Sequence, residues 1–217
     1  MIEINKYIDH TLLRATATEE EVAKLCQEAR EHSFISVCVN SAFVSFAKEQ
    51  LKGTDVKVCT VVGFPLGAMS TPAKVFEATQ AIKDGATEVD MVINIGALKS
   101  RQLEKVEQEI AAIKEAIGKN ILKVILETCY LTSEEILLAS ELSVKAKADF
   151  VKTSTGFGTA GADRESIVLM KKATEGKAKM KASGGIKNLD TALFYIEMGV
   201  ERIGTSSGVS IVKELKG

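Results

Sequence analysis

The feature that most constrains the fold is a regular alternation of short β-branched runs with longer segments of helical periodicity. In the segment TATEEEVAKLCQEAREH, for example, Thr18 and Glu21 form a capping-box pattern, and apolar residues recur at helical spacing. Such alternation is typical of β/α units around a parallel sheet. We count eight units in the sequence, the number that closes a sheet into a (β/α)8 barrel.

Each predicted strand is a short apolar or β-branched run that precedes a helical segment. In chain order the strands are YIDHTLL, SVCVN, VKVCTVVGF, EVDMVIN, LKVILET, DFVKTST, KMKASG and ERIGTSS. We expect Ser133 to cap the start of one helix and Gly85 to end another. No linker or low-complexity tract interrupts the pattern, so we predict one α/β domain, a TIM barrel over residues 1–217. A doubly wound open sheet is the structural alternative, because sequence pattern alone does not show closure.

Composition excludes several classes of function. The formal net charge is −1, so no basic excess predicts binding to nucleic acid or to an anionic membrane. The start of the chain, MIEINKYIDH, lacks a signal-peptide pattern, and no apolar run approaches membrane-spanning length, so we expect a cytoplasmic protein. We expect reduced thiols and no metal site, since metal-ligand spacing is absent among Cys26, Cys38, Cys59, Cys129, His10 and His32.

A lysine in the middle of the sixth predicted strand requires an explanation. Because strand side chains alternate between faces, Lys152 shares its face with Phe150 and Ser154. In a central strand, burial disfavours the charged ammonium form and makes the amine available as a nucleophile. The alternative is an edge-strand lysine whose ammonium group reaches solvent.

The same alternation directs further polar and charged side chains into the predicted barrel. With Lys152, they are Asp90, Asn94, Lys123, Glu127, Lys179 and Lys181. Burying unpaired charges is costly, so such a set persists only if the charges compensate one another or the site is used. A structural ion-pair network is the alternative, above all for Lys123 and Glu127.

Two of these lysines lie one β/α unit apart. Lys152 and Lys181 should therefore project from adjacent strands, roughly 5 Å apart. Repulsion and burial together favour a neutral amine at one of them, which is how a Schiff-base lysine is activated. Asp90, two strands earlier, is a candidate to carry protons.

Glycine-rich segments follow the last two predicted strands. Barrels commonly bind phosphate there, through backbone N–H groups and a helix N-terminus. Tight turns are the simpler explanation of such glycines. We favour a phosphate site formed by SGGI and GTSSG, with candidate residues Gly184, Gly185, Gly204, Ser206 and Ser207.

The segment TGFGTAG has the G-x-G-x-x-G spacing of a dinucleotide fingerprint at Gly156, Gly158 and Gly161. The acidic ribose ligand expected about twenty residues later is absent, and Lys181 lies near that position. We therefore do not predict a nicotinamide site here.

The motifs together resemble those of the 2-deoxyribose-5-phosphate aldolase family. They are DHTLL, VCVN, VVGFPLGA, EVDMVINIGALKS, KVILET, DFVKTSTGF, KASGGI and GTSSG, in family order over nearly the whole chain. The resemblance implies a (β/α)8 barrel that reversibly cleaves 2-deoxy-D-ribose 5-phosphate to acetaldehyde and D-glyceraldehyde 3-phosphate. It also implies a homodimer, a small phosphosugar as the only partner molecule, and no metal or organic cofactor.

The resemblance also assigns roles to residues. Lys152 is similar to the family's Schiff-base lysine, Lys181 to the lysine that perturbs it, and Asp90 to the proton donor or acceptor. Besides the two glycine-rich loops, the substrate site implied by the matching motifs includes Asp9, Thr11, Cys38, Thr155 and Gly156. We interpret Cys38 mainly as core packing, and its slow modification at high acetaldehyde concentration, testable with Cys38→Ala, as a weaker hypothesis.

The chain departs from the family pattern in two places. Many members read DHTLLKP where this chain has Arg14 and Ala15, which we expect to change loop stiffness more than chemistry. Some longer relatives end in a tyrosine that assists proton transfer, whereas this chain reads IVKELKG, and we expect no residue of that segment to replace it.

Three other functions stay open at this point. A different Schiff-base aldolase would be separated by its activity on non-phosphorylated deoxyribose and on ketose phosphates. A phosphosugar-binding module would bind ligand without borohydride-dependent labelling. A nicotinamide-dependent oxidoreductase would require a cofactor-dependent change in absorbance.

Overall fold

Eight parallel strands close into a barrel in chain order in the computed structural model, which describes residues 2–216. Strand β1 pairs with β2 on one side and with β8 on the other, so the sheet has no open edge. This confirms the predicted (β/α)8 barrel over the doubly wound sheet. The strands are β1 Ile8–Leu12, β2 Ser36–Val39, β3 Lys57–Val62, β4 Glu88–Val92, β5 Ile121–Ile125, β6 Phe150–Lys152, β7 Lys179–Ser183 and β8 Arg202–Thr205.

Helices follow the strands and pack around the outside of the barrel. Their bounds are α1 Glu19–Glu31, α2 Val44–Gln50, α3 Thr71–Asp84, α4 Ile95–Lys99, α5 Leu103–Ile117, α6 Ser133–Lys145, α7 Arg164–Thr174, α8 Leu189–Glu197 and α9 Gly208–Lys216. Four short elements were not predicted, because a single helical turn leaves no periodic signal. They are α4 and the 3₁₀ turns Ile4–Tyr7, Ser41–Phe43 and Thr128–Tyr130.

Local sequence signals set most helix ends. Helix α1 begins at the predicted capping box of Thr18 and Glu21, and α3 ends at Gly85 in the left-handed conformation. The prediction of Ser133 as an N-cap is wrong by one residue. Thr132 caps α6 instead, because Thr132 and Glu135 complete a capping box in which each side chain accepts the other's backbone N–H.

The apolar core lies between the strands and the helices. Val89, Met91 and Ile93 belong to one cluster with Val106 and Ile110 of α5, as the alternation along β4 predicts. Burial of these side chains against the helices orients the other face of the strands toward the barrel axis. The charged residues of the site lie on that inner face.

Within residues 2–216, every helix is too short or too polar to cross a membrane.

Candidate active site

The barrel interior holds a continuous network of buried ion pairs. Its members are 7% exposed or less. The carboxylates come from β1 and β4, and the cations come from β5 to β8. The carboxylates are Asp9, Glu88 and Asp90, and the cations are Lys123, Lys152, Lys181 and Arg202.

Asp90 is the centre of this network. Lys152 Nζ and Lys181 Nζ both donate to Asp90 Oδ2, at 2.7 Å and 2.8 Å. Lys123 Nζ donates to Asp90 Oδ1 at 2.9 Å. Lys152 and Lys181 are directly opposite each other in the β6–β7 register. The structure therefore brings together the three residues that the sequence singled out for chemistry.

Asp9 and Glu88 hold the cations in place from two further sides. Asp9 accepts from Lys181 Nζ and from Arg202 Nη1, each at 2.5 Å. Glu88 accepts from Arg202 Nη2 at 2.8 Å and lies 2.6 Å from Lys123 Nζ. Sequence reasoning missed Arg202 and Glu88. The signal for Glu88 was present, because it lies two residues before Asp90 and so shares its face of the strand.

The network shifts the pKa values of Asp90, Asp9 and Lys181. Burial alone would raise the pKa of Asp90, but Lys123, Lys152 and Lys181 outweigh burial and hold that pKa well below 3.8. The pKa of Asp9 is lowered in the same way, mainly by Lys181 against the opposing effect of burial. Burial would lower the pKa of Lys181, yet Asp9 and Asp90 raise it above its usual range. Lys181 is therefore an ammonium group at neutral pH.

These shifts predict a loss of stability in acid. The pKa values of Asp9 and Asp90 are lower in the folded than in the unfolded chain. Their contribution to the free energy of unfolding is therefore complete above the ordinary carboxyl pKa and decreases as pH falls below about 4. At pH 3, about one unit below the unfolded-state pKa, we expect a loss on the order of 1 kcal/mol per carboxylate. Urea unfolding followed by circular dichroism at pH 7, 4 and 3 measures it, and equal unfolding free energies at all three values would contradict it.

A cavity of about 360 Å³ opens at the carboxyl ends of the strands, with Lys152 in its wall. The opposite end of the barrel has a larger cavity, about 780 Å³, around Phe150 and Lys177. Barrels carry their chemistry at the carboxyl ends, and the smaller cavity is the one that reaches Lys152. We therefore take it as the substrate pocket. Of the other sequence-predicted residues, its wall includes Thr11, Thr155, Gly156, Gly184, Gly185, Gly204 and Ser206.

The glycine-rich loops form one side of this pocket. Gly184 and Gly185 have φ of 88° and 80°, a left-handed conformation that glycine adopts without strain. Ser207, just before α9, is half-buried, and its backbone N–H donates to Thr205 Oγ1 at 2.9 Å. Two cations, Arg14 and Lys187, also line the pocket. Sequence reasoning did not assign them to the site, because no periodic signal orients a side chain in a loop.

The glycines of TGFGTAG are explained by close packing. A Cβ on Gly161 would lie 2.3 Å from Gly184 O, and one on Gly158 would lie 2.8 Å from Cys129 Sγ. Gly156 has φ of 88° and lines the pocket. The packing and backbone conformation of the loop therefore account for this glycine spacing, which does not require a dinucleotide to explain it.

Two residues that the family resemblance assigned to the substrate site are completely buried. Asp9 belongs to the ion-pair network, and Cys38 packs with Leu13, Cys59 and Val61 in a small apolar cluster. Neither presents surface to the pocket. The burial of Cys38 agrees with its interpretation as core packing.

Two side chains expected inside the barrel lie elsewhere. Lys179 is the first residue of β7, and its side chain is 59% exposed and paired with Glu201. Asn94 lies beyond the end of β4 and caps α4, accepting the backbone N–H of Ala97 at 2.9 Å. Strand alternation does not hold at or beyond a strand end, so these two predictions were wrong.

Cys38, Cys59 and Asp90 form a buried group whose ligand atoms lie within 4.8 Å of one another. Such a group could hold a metal by spacing alone. Here both Asp90 oxygens already accept from the ammonium groups of Lys123 and Lys181, and Lys123 Nζ lies 3.3 Å from Cys59 Sγ. These two ammonium groups would repel a metal cation, so the donor set does not fit a metal ion.

Comparison with known proteins gives consistent matches over nearly the whole chain. Residues 4–214 match the DeoC/LacD family aldolase. The chain is 59% identical over 215 residues to a deoxyribose-phosphate aldolase of Brevibacillus brevis, covering 99% of this chain and 97% of that one. Among solved structures, QR15, an aldolase, superposes with a TM-score of 0.95 at 44% identity, covering 100% of this chain and 97% of that one. A deoxyribose phosphate aldolase from Aeropyrum pernix, described as a unique tetramer, superposes with a TM-score of 0.91 at 33% identity, covering 99% and 91%.

Proposed function

Since this chain belongs to the DeoC/LacD family of aldolases and is therefore a carbon–carbon lyase, we propose that it cleaves 2-deoxy-D-ribose 5-phosphate through a Schiff base on Lys152. The products are acetaldehyde and D-glyceraldehyde 3-phosphate, and the reaction is reversible. The substrate is taken from the names of the relatives. The assignment of the Schiff base to Lys152 is argued from the site.

The observation that carries this proposal is the charge balance of the ion-pair network. The network has four cations, Lys123, Lys152, Lys181 and Arg202, against the three carboxylates Asp9, Glu88 and Asp90. The charges of the network sum to zero when one of the four basic groups is neutral. Each of the other three cations pairs with at least two carboxylates, whereas Lys152 has Asp90 alone. Lys152 is also the only one of the four cations in the pocket wall. A neutral amine at Lys152 is the form that attacks a carbonyl.

The reaction then follows from these positions. Lys152 Nζ adds to the substrate aldehyde, and loss of water gives an iminium ion. Removal of the proton from the C3 hydroxyl breaks the C2–C3 bond, releases D-glyceraldehyde 3-phosphate and leaves an enamine. Protonation of the enamine at C2 and hydrolysis of the resulting iminium release acetaldehyde and restore the amine.

Asp90 and Lys181 are suited to move the protons in these steps. Asp90 Oδ2 is within hydrogen-bond distance of both Lys152 Nζ and Lys181 Nζ. Asp90 can accept a proton as a carboxylate, and Lys181 can supply one, directly or through a water. General acid–base help of this kind contributes about 10²–10⁴-fold to a rate.

The phosphate is proposed to bind at the glycine-rich loops. Lys187 supplies positive charge at the pocket wall, which also includes Arg14, whose guanidinium is paired with Glu21. Backbone N–H groups of the loops and the N-terminus of α9 add favourable dipoles. A phosphate bound there would share the pocket with Lys152 and would hold the sugar beside it.

Trapping with sodium borohydride tests the proposal. The protein is treated with deoxyribose 5-phosphate or acetaldehyde, reduced, digested and mapped by mass spectrometry. We expect a reduced adduct on Lys152 only when substrate is present. A folded sample that binds ligand without forming an adduct would support the phosphosugar-binding module. Assays with ketose phosphates and with non-phosphorylated deoxyribose distinguish another Schiff-base aldolase.

Lys181→Leu should shift the pH dependence of the rate. The substitution removes the positive charge beside Lys152 on which the neutral amine of this proposal depends. We expect activity to fall at pH 7 and to recover in part at alkaline pH. The measurement is kcat/KM between pH 6 and 10. An unchanged profile would contradict the proposed role of Lys181.

We further propose a role in the breakdown of deoxyribose phosphates in the cytoplasm, with a homodimer as the working form. The family resemblance is the basis for the dimer. Sedimentation velocity distinguishes a dimer from the tetramer described for the Aeropyrum pernix relative.

A further inference from the structure

Glu127 lies at an irregularity in the barrel, immediately after β5. Leu126 N donates to Lys152 O at 2.9 Å, and Thr128 N donates to Thr153 O at 3.0 Å. The donors advance by two residues, from Leu126 to Thr128, while the acceptors advance by one, from Lys152 to Thr153. Glu127 is therefore the extra residue of a β-bulge. Its backbone is in the left-handed region, with φ of 56° and ψ of 63°. This conformation is strained for a residue with a side chain.

The bulge directs the Glu127 carboxylate away from the ion-pair network and toward the loop after β6. Glu127 Oε1 accepts the backbone N–H of Thr155 at 3.2 Å, and Oε2 accepts the Thr155 hydroxyl. Thr155 Oγ1 in turn accepts the backbone N–H of Phe157 at 3.0 Å. Thr155, Gly156 and Phe157 all line the substrate pocket. One carboxylate thus fixes three consecutive residues of the pocket wall.

The surroundings leave this carboxylate little freedom. Glu127 is 2% exposed. A Cβ on Gly158 would lie 3.1 Å from Glu127 Cδ, so the loop passes directly over the carboxylate. The Phe157 ring also packs edge-on against Phe64 in the loop after β3, with the ring centroids 5.3 Å apart. The wall is therefore held from both sides.

We propose that Glu127 is a positioning residue, whose carboxylate sets the distance between the Thr155–Phe157 wall and Lys152. The inference rests on the proposed function, since it concerns the orientation of a phosphosugar bound between that wall and the phosphate loops. The strained bulge aims one carboxylate at both the backbone N–H and the hydroxyl of Thr155. Regular alternation at this position would direct the side chain into the barrel instead.

Glu127→Gln tests this role with a near-isosteric change. The amide has one acceptor oxygen, so it cannot accept both Thr155 donors in the present arrangement. Because small misplacements of bound substrate are costly, we expect kcat/KM for deoxyribose 5-phosphate to fall by about 10²-fold. Acetaldehyde has only two carbons and does not depend on the wall for orientation. Borohydride labelling of Lys152 with acetaldehyde should therefore proceed at the wild-type rate in the variant.

Thr155 variants separate positioning from a general effect on folding. Thr155→Val should reduce kcat/KM as Glu127→Gln does. Thr155→Ser, which keeps the hydroxyl, should have a kcat/KM near that of wild type. The double variant Glu127→Gln/Thr155→Val should lose less than the product of the two single losses, because both act through one contact. A loss of kcat/KM in the double variant equal to the product of the two single losses would overturn the inference.

The two proposals can fail separately. Wild-type protein that is not labelled on Lys152 by acetaldehyde and borohydride would contradict the Schiff-base function. Wild-type protein that is labelled, together with unchanged kcat/KM in folded Glu127→Gln and Thr155→Val, would contradict the positioning role alone. Loss of acetaldehyde labelling in folded Glu127→Gln would also overturn it, since Glu127 would then act on Lys152 itself.

Discussion

Replacing Lys152 with methionine should abolish cleavage of deoxyribose 5-phosphate, with kcat reduced by about 10⁴-fold or more, since no other route to the iminium remains. The fold should tolerate the change. Methionine has a similar length, and the other three cations stay paired with three carboxylates inside the barrel. We therefore expect near-wild-type thermal unfolding together with no borohydride adduct at position 152. A coupled assay for glyceraldehyde 3-phosphate and peptide mapping measure the two effects.

Lys181→Met is the matched control for this substitution. It removes the lysine directly opposite Lys152 in the β6–β7 register. We expect the Lys181 variant to form an adduct on Lys152 and to regain activity at alkaline pH. The Lys152 variant should regain none at any pH. An adduct on Lys181 in Lys152→Met protein would identify Lys181 as the nucleophile and refute the assignment.

Asp90→Asn should damage both stability and activity. Asp90 accepts from Lys123, Lys152 and Lys181, and the neutral amide would leave the buried ammonium groups of Lys123 and Lys181 undercompensated. Breaking a buried ion pair by removal of one partner costs about 3–5 kcal/mol. Loss of the proton carrier should lower kcat by about 10²–10⁴-fold in addition. Urea unfolding at pH 7 and steady-state kinetics at a temperature where the variant is folded give the two values.

Glu109→Gln provides a control for the stability effect. Glu109 on α5 is 2% exposed and accepts from Lys74 Nζ on α3 at 2.7 Å, outside the barrel interior. This substitution should destabilise the fold through the same kind of buried pair while kcat stays within about twofold of wild type. Asp90→Asn protein as stable as wild type would show that Lys123 and Lys181 do not need this countercharge.

The sequence predicted most of the site because strand alternation is a strict geometric rule. Asp90, Lys123, Lys152 and Lys181 lie on inner faces of their strands, as that rule requires. The rule does not specify where a strand stops or where it bulges. Lys179 was misplaced for the first reason. Glu127 was misplaced for the second reason, since the bulge directs its carboxylate to Thr155 in the loop after β6.

Residues in loops could not be placed by the same reasoning. Arg14 and Lys187 line the pocket, yet nothing periodic in the sequence orients their side chains. The glycines Gly158 and Gly161 illustrate the same limit, since their spacing matches a nucleotide fingerprint but reflects contacts between loops distant in sequence. Tertiary packing decides both cases.

The distribution of charge along the chain has a consequence for how the barrel assembles. All three interior carboxylates come from the first four strands, and all four interior cations come from the last four. In the folded barrel the leading half therefore contributes only negative charge to this network, and the trailing half contributes only positive charge. Two copies of either half would repel each other, so a barrel built from a duplicated half could not form this interior. The two unlike halves are electrostatically complementary, and that complementarity favours joining them in the correct pairing.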